Sequence, residues 1–228
     1  MRMIFVRHGH PDYKNDCLTE LGRQQAEAAA DRLSKEKINK IYSSTCGRAF
    51  QTAECIANLH NMKVEPCDFM RELGWGSTDG EPIIHNGHPW ATAEEMVKNG
   101  QNILNSNWEN EEPFCRNKVV SCGREAWQGF DSLLSKLGYQ REGSYYRVCN
   151  ENDNTYAMVS HGGSSSAVLS HIFNIPFPFF CHTVHPDFTS ITIVSLCGKK
   201  GDLSAPGFEL VNDARHIGTV ASEVVFDH

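Results

Sequence analysis

The stretch Met1–His10, MRMIFVRHGH, decides how the rest of the chain is read. Met3-Ile4-Phe5-Val6 is a short apolar run that ends abruptly in Arg7-His8-Gly9. That pattern predicts a buried strand carrying a cation, an imidazole and a glycine at its carboxyl end, the place where open α/β sheets bind ligands. Gly9 allows a tight turn beside a bound group, and the Arg7 guanidinium offers planar donors suited to phosphate. Taken alone, the triplet reads more readily as a surface turn. A second copy changes the balance: Thr155-Tyr156-Ala157-Met158-Val159 is again an apolar strand, followed by Ser160-His161-Gly162-Gly163 and a helix to about Phe173. There the paired glycines permit close backbone approach, and the first N–H groups of the helix are free to face whatever lies beside the His161 ring.

Between the two copies, strand and helix alternate. Thr19 is placed to cap a helix reaching about Lys35, with Leu21, Gln25, Ala28 and Leu33 near one face. Lys40-Ile41-Tyr42-Ser43 predicts a strand, and Arg48 opens a helix to about Asn61. In isolation Arg48 reads as a solvated helix-start residue; beside a strand end it can reach an anion that the helix N-terminus also favours. Val64–Phe69 is extended, and Arg71-Glu72-Leu73-Gly74 is a loop whose Glu72 becomes a candidate acid only if it covers the Arg7-His8 site. Later elements are a helix over about 123–137, strands at Tyr145–Val148 and Thr189–Leu196, and an edge strand at Gly207–Val211. The alternation predicts an α/β fold, a three-layer sandwich with a mostly parallel central sheet and helices on both faces.

Residues from about 77 to 120 break the alternation with polar turns, Trp90, Trp108, Phe114 and one helix near Thr92–Leu104. They read as an insertion or lid over the active edge of a single domain spanning 1–228. His85/His88 and His182/His185 stand at HxxH spacing, but no carboxylate or cysteine follows at a metal-binding offset, so they read as surface imidazoles. Nine scattered cysteines without a CxxC pair read as reduced thiols. A formal charge of −7 with no basic run argues against nucleic-acid or anionic-membrane binding, though not against an anionic substrate in a locally basic pocket. No leader-like or membrane-length apolar run is present in the sequence, and the expected compartment is the cytoplasm.

Two strand-end histidines, two arginines and a loop glutamate are what phosphoryl transfer asks for: a nucleophile, cations for the equatorial oxygens and an acid for the departing alkoxide. At this point the chain resembles the histidine phosphatase superfamily, the phosphoglycerate mutase-like fold. The likeness rests on Val6-Arg7-His8-Gly9, on Leu18-Thr19-Glu20-Leu21-Gly22-Arg23-Gln24-Gln25-Ala26, and on Ser43-Ser44 with Gly47-Arg48-Ala49-Phe50-Gln51-Thr52-Ala53-Glu54. Arg71-Glu72-Leu73 and Ser160-His161-Gly162-Gly163 complete it. The resemblance implies that His8 is the phosphorylated nucleophile, that Arg7, Arg48 and His161 bind the phosphoryl group with donors and positive charge, and that Glu72 is the general acid that later activates water. It implies no metal and no cofactor, and a small phosphorylated metabolite as the partner.

Gly162 and Lys14 are the expected substrate contacts, Lys14 standing where many members have a phosphate-touching asparagine, with Asn15 one step on. The chain departs from the family pattern at His10-Pro11, where Glu or Gln followed by Ser or Thr is usual. The short loop between His8 and Thr19, and the lack of adjacent arginines over 77–130, favour a phosphatase over a mutase. A mutase and a non-catalytic phospho-ligand module are the competing readings.

Overall fold

The computed structural model describes residues 1–218. Its strands are β1 (Arg2–Arg7), β2 (Pro11–Asp12), β3 (Cys17–Leu18), β4 (Ile38–Ser43), β5 (Val64–Pro66), β6 (Tyr139–Glu142), β7 (Tyr145–Val148), β8 (Thr155–Ser160), β9 (Ile191–Ser195), β10 (Leu203–Ser204) and β11 (Gly207–Asp213). The helices are α1 (Glu20–Leu33), α2 (Gly47–Leu59), α3 (Pro89–Lys98), α4 (Lys118–Lys136), α5 (Gly162–Ile172) and α6 (Phe177–Thr183). Among the described residues the central sheet runs β11-β9-β1-β8-β4-β5. Strands β1, β8, β4 and β5 are parallel, and β9 is antiparallel to both of its neighbours.

The period-two alternation of the central strands divides the core. Ile4, Val6, Ala157 and Val159 face one side with Ala30 and Leu33 of α1 and Ala53 and Ile56 of α2. Met3, Phe5, Tyr156 and Met158 face the other, against Ala126 and Phe130 of α4, Val168 of α5 and Phe177 of α6. Both faces are covered, which is why β1 and β8 read as unbroken apolar runs. The expected three-layer α/β sandwich is the architecture observed.

Several elements differ in extent. Helix α3 begins at Pro89, with the His88 ring accepting from the Ala91 N–H, and ends before Gly100 at φ +67°, so it lies earlier than Thr92–Leu104. Helix α4 starts at Lys118 because the Asn117 side chain accepts from Val119 N–H. Thr19 caps α1 as expected, accepting from Gly22 N–H at 3.1 Å. Strand β6, the hairpin partner of β7, and helix α6 were not foreseen. A bridge between Ser77 and Asn117 closes the base of the 77–117 segment, and the Trp90 indole donates to the Val184 carbonyl.

Two close backbone contacts fix the chain around the first strand end. A side chain at Gly9 would collide with the Gly22 carbonyl oxygen, and one at Gly22 with the His10 carbonyl. A side chain at Gly47 would strike the Asp16 carbonyl oxygen. No helix among the described residues is long and apolar enough to cross a membrane.

Candidate active site

Parallel pairing of β1 with β8 sets Arg7 opposite Ser160, so the residues that follow, His8 and His161, emerge side by side. Their ring centroids are 5.1 Å apart, edge to face, and both are buried. The backbone there is held on both sides: His8 N–H donates to the Ser160 carbonyl at 2.9 Å, and Thr189 N–H to the His8 carbonyl at 3.3 Å.

The His8 ring is oriented by a 2.7 Å bond from Nδ1 to the Gly9 carbonyl. A carbonyl only accepts, so Nδ1 carries the proton and Nε2 presents its lone pair. Arg48 Nε donates to that Nε2 at 3.3 Å. Burial holds the His8 pKa well below the ordinary imidazole value, reinforced by His161 and the positive charges of Arg7 and Arg48 against the opposing Gly9 carbonyl. His8 is therefore neutral near pH 7.

His161 is held through the opposite nitrogen. Its Nε2 lies 2.8 Å from Ser44 Oγ, which already accepts from Cys46 N–H at 3.2 Å. With the Ser44 hydroxyl donating to Nε2, the ring proton lies on Nδ1, a buried atom with no partner among the described residues. Burial, then Arg48, lowers the His161 pKa to about 3. In this structure the ring is neutral, and the positive charge around it comes from Arg7 and Arg48.

Arg7 Nη1 donates to the Pro186 carbonyl at 2.6 Å, whereas its Nε is buried and has no partner among the described residues. The Phe188 ring stacks on the guanidinium, 4.1 Å from ring centre to carbon. Arg48, in the first turn of α2, meets Asp16 Oδ1 at 2.5 Å, while Asp16 Oδ2 accepts from Gly47 N–H at 2.7 Å. Burial alone would raise the Asp16 pKa; the Gly47 N–H and Arg48 outweigh it, and the carboxyl is lowered.

Glu72 reaches this cluster. Its Oε1 accepts from Leu73 N–H at 2.9 Å and from Ser164 N–H, in the first turn of α5, at 3.1 Å. Burial raises its pKa despite those bonds and the nearby Arg7 charge. A side chain at Gly163 would collide with Glu72 Oε1, so the paired glycines make room for this carboxyl.

The family described as histidine phosphatase superfamily (branch 1) matches residues 3–113. A Hydrogenobacter thermophilus protein provisionally named phosphoserine phosphatase 2 is 24% identical over 211 residues, 89% of this chain and 93% of its own. Residues 3–113 of this chain carry the pattern of the histidine phosphatase superfamily. Another superfamily relative, the 2,3-bisphosphoglycerate-dependent phosphoglycerate mutase of Thermoplasma acidophilum, is 38% identical over 101 residues, 37% of this chain and 50% of its own. In fold the chain is similar to a phosphoserine phosphatase variant of Entamoeba histolytica solved with phosphoserine. That structure is 22% identical, covers 95% of this chain and 98% of its own, and has a TM-score of 0.63.

The structure brings together five of the residues that the superfamily pattern marks, namely Arg7, His8, Arg48, Glu72 and His161, with Gly162 beside Arg7. Lys14 stands apart: it is exposed on a turn built on the Asp12 carboxylate, which accepts from Lys14 N–H at 3.0 Å and Asn15 Nδ2 at 2.7 Å. Asp16, at φ +47°, turns inward instead. Sequence reasoning missed Asp16, Tyr13, Ser44 and Phe188. Ser44 stood within the matched Ser43-Ser44 motif, but its partner is 117 residues distant. His85 lies 3.5 Å from the Glu95 carboxylate, and no group of three or more metal-ligating side chains gathers among the described residues.

Proposed function

We propose that this protein is a phosphomonoesterase that works without a metal through a phosphohistidine at His8. The observation that carries the reading is the His8 Nδ1 bond to the Gly9 carbonyl, which presents a neutral Nε2 lone pair between two arginines and a second, oppositely tethered imidazole. Among the described residues Arg7 Nε and His161 Nδ1 are buried without partners, a costly condition that an anionic oxygen relieves.

In the first half-reaction Nε2 attacks phosphorus and the P–O bond to the alcohol breaks. Arg48 transfers its Nε hydrogen bond from the imidazole to a phosphoryl oxygen, and Glu72, whose burial favours the protonated carboxyl, gives its proton to the departing oxygen. In the second, the Glu72 carboxylate takes a proton from water as the water oxygen attacks phosphorus. The P–N bond breaks, inorganic phosphate leaves, and both side chains return to their starting states. Neutral His8 is available as nucleophile over the physiological range without a general base.

The test is trapping with a labelled phosphomonoester in the presence of chelator, quenched in alkaline detergent. A base-stable, acid-labile label on wild type that vanishes in His8→Ala supports the reading, and a label that persists in the variant overturns it. The match to the phosphoglycerate mutase favours a second reading, transfer of the phosphoryl group to another alcohol. Product analysis separates the two, since only hydrolysis releases inorganic phosphate in step with substrate loss.

A further inference from the structure

Glu72 and Trp90 abut consecutive residues at the start of α5. A side chain at Gly163 would collide with Glu72, and one at Gly162 would lie 3.5 Å from the Trp90 ring and 3.6 Å from Arg7 Nε. The acid must stand beside the departing oxygen, so the organic group on that oxygen lies along Trp90. From Trp90 an aromatic shelf continues through His88, at a centroid distance of 5.7 Å, to Trp75, edge-on at 5.2 Å. On another side Phe188 lies on Arg7 and 5.9 Å from the His8 ring. Tyr13 lies 5.3 Å from the Arg48 guanidinium carbon, yet is 68% exposed, a large ring kept at the surface beside the site.

The cations at the site already have partners: Arg48 is paired with Asp16, and Asp187 acts on Arg7. Arg71 acts on His161 through its charge, but its guanidinium turns outward to Thr45 at 3.2 Å and Asp68 at 3.8 Å, and Lys14 is in solvent. With Arg7 and Arg48 committed to the phosphoryl group, a leaving group bearing its own carboxylate meets no cation turned toward the shelf. A flat neutral ring meets edges and faces suited to it.

We propose that Tyr13, Trp75, His88, Trp90 and Phe188 form a specificity collar, and that the substrate is the phosphomonoester of an uncharged aromatic alcohol. The assignment rests on the phosphatase reading above. It also separates this chain from relatives named for phosphoserine, an amino-acid ester.

The experiment compares kcat/KM for benzyl phosphate, allyl phosphate and phosphoserine, whose alcohols differ little in acidity, so recognition is read apart from leaving-group chemistry. Benzyl phosphate is expected to exceed allyl phosphate by about tenfold, with phosphoserine lowest. Tyr13→Ala and Trp90→Ala should each shrink the benzyl-to-allyl ratio to within about threefold, and Trp90→Phe should restore most of it. Phosphate release at equal kcat/KM from all three, or a preference for phosphoserine, overturns the collar and leaves the phosphatase reading standing. No release from any of them overturns the phosphatase reading. Calorimetry with benzylphosphonate and methylphosphonate then still reads the collar: tenfold tighter benzylphosphonate supports it, and equal affinities overturn it.

Discussion

Strands β1 and β8 end in nearly the same words, Arg-His-Gly and Ser-His-Gly-Gly, and deliver two imidazoles 5.1 Å apart. Their tethers are opposite. His8 is held by Nδ1 on its neighbour's carbonyl and presents Nε2; His161 is held by Nε2 on Ser44 and presents Nδ1. One ring thus offers a lone pair and the other a hydrogen. A nucleophile and an oxyanion donor can be made from the same residue type, in the same buried setting, by choosing which nitrogen the backbone or hydroxyl secures.

The widest gap between the two rings should appear on truncation. His8→Ala is expected to lose about 10⁵-fold in kcat/KM together with all phosphohistidine, whereas His161→Ala loses about 10²–10³-fold and still forms the label in a single turnover. Equal losses, with label absent from both, would erase the division of roles. Next in size is Glu72→Gln, expected to cost about 10²-fold on alkyl phosphates and less than about tenfold on aryl phosphates, whose leaving groups need little protonation. The same variant should remove the alkaline limb of the alkyl pH–rate profile. That limb arises because Glu72 must hold a proton, and burial keeps the proton on to higher pH than in an ordinary carboxyl. A limb that survives E72Q belongs to another group.

Ser44→Ala tests the tether of the second ring alone. Releasing Nε2 lets the imidazole proton move off Nδ1, and about a tenfold loss in kcat is expected with label at His8 retained. Smallest is an effect on folding. His161 has its pKa lowered from 6.5 to about 3, so between those values the unfolded chain binds a proton that the folded chain refuses. Stability is complete above pH 6.5 and falls as pH drops, by about 1.4 kcal/mol per pH unit for this ring, and His8 adds a loss of the same sign. Denaturant titrations across that range should show a shallower slope for His161→Asn than for wild type.

What was legible in the sequence follows the range of the contacts. The ends of β1 and β8 were readable because a buried strand and a glycine turn are local signals, and the motif spacing set Arg48 and Glu72 beside them. Helix α4 was placed five residues late, although Asn117 before Val119-Val120 is itself a cap signal. The exposure of Lys14 was not legible, because a loop has no period from which to infer which side chain faces in. The left-handed Asp16, two residues on, redirects the chain. The Arg7 partners Pro186 and Phe188 come from 179 and 181 residues downstream, beyond any local pattern.

The glycines that meet carbonyls at His10 and Asp16 have a consequence for how this pocket can diversify. Gly22 presses on the His10 carbonyl and Gly47 on that of Asp16, so the two helices grip the entrance loop at both of its feet. The feet of the loop are templated by α1 and α2, and its tip by the Asp12 carboxylate. Around Asp12, residues 11–15 form an interchangeable cassette: their other side chains can be rewritten, by selection or by design, while the Arg7-His8 strand end stays in register.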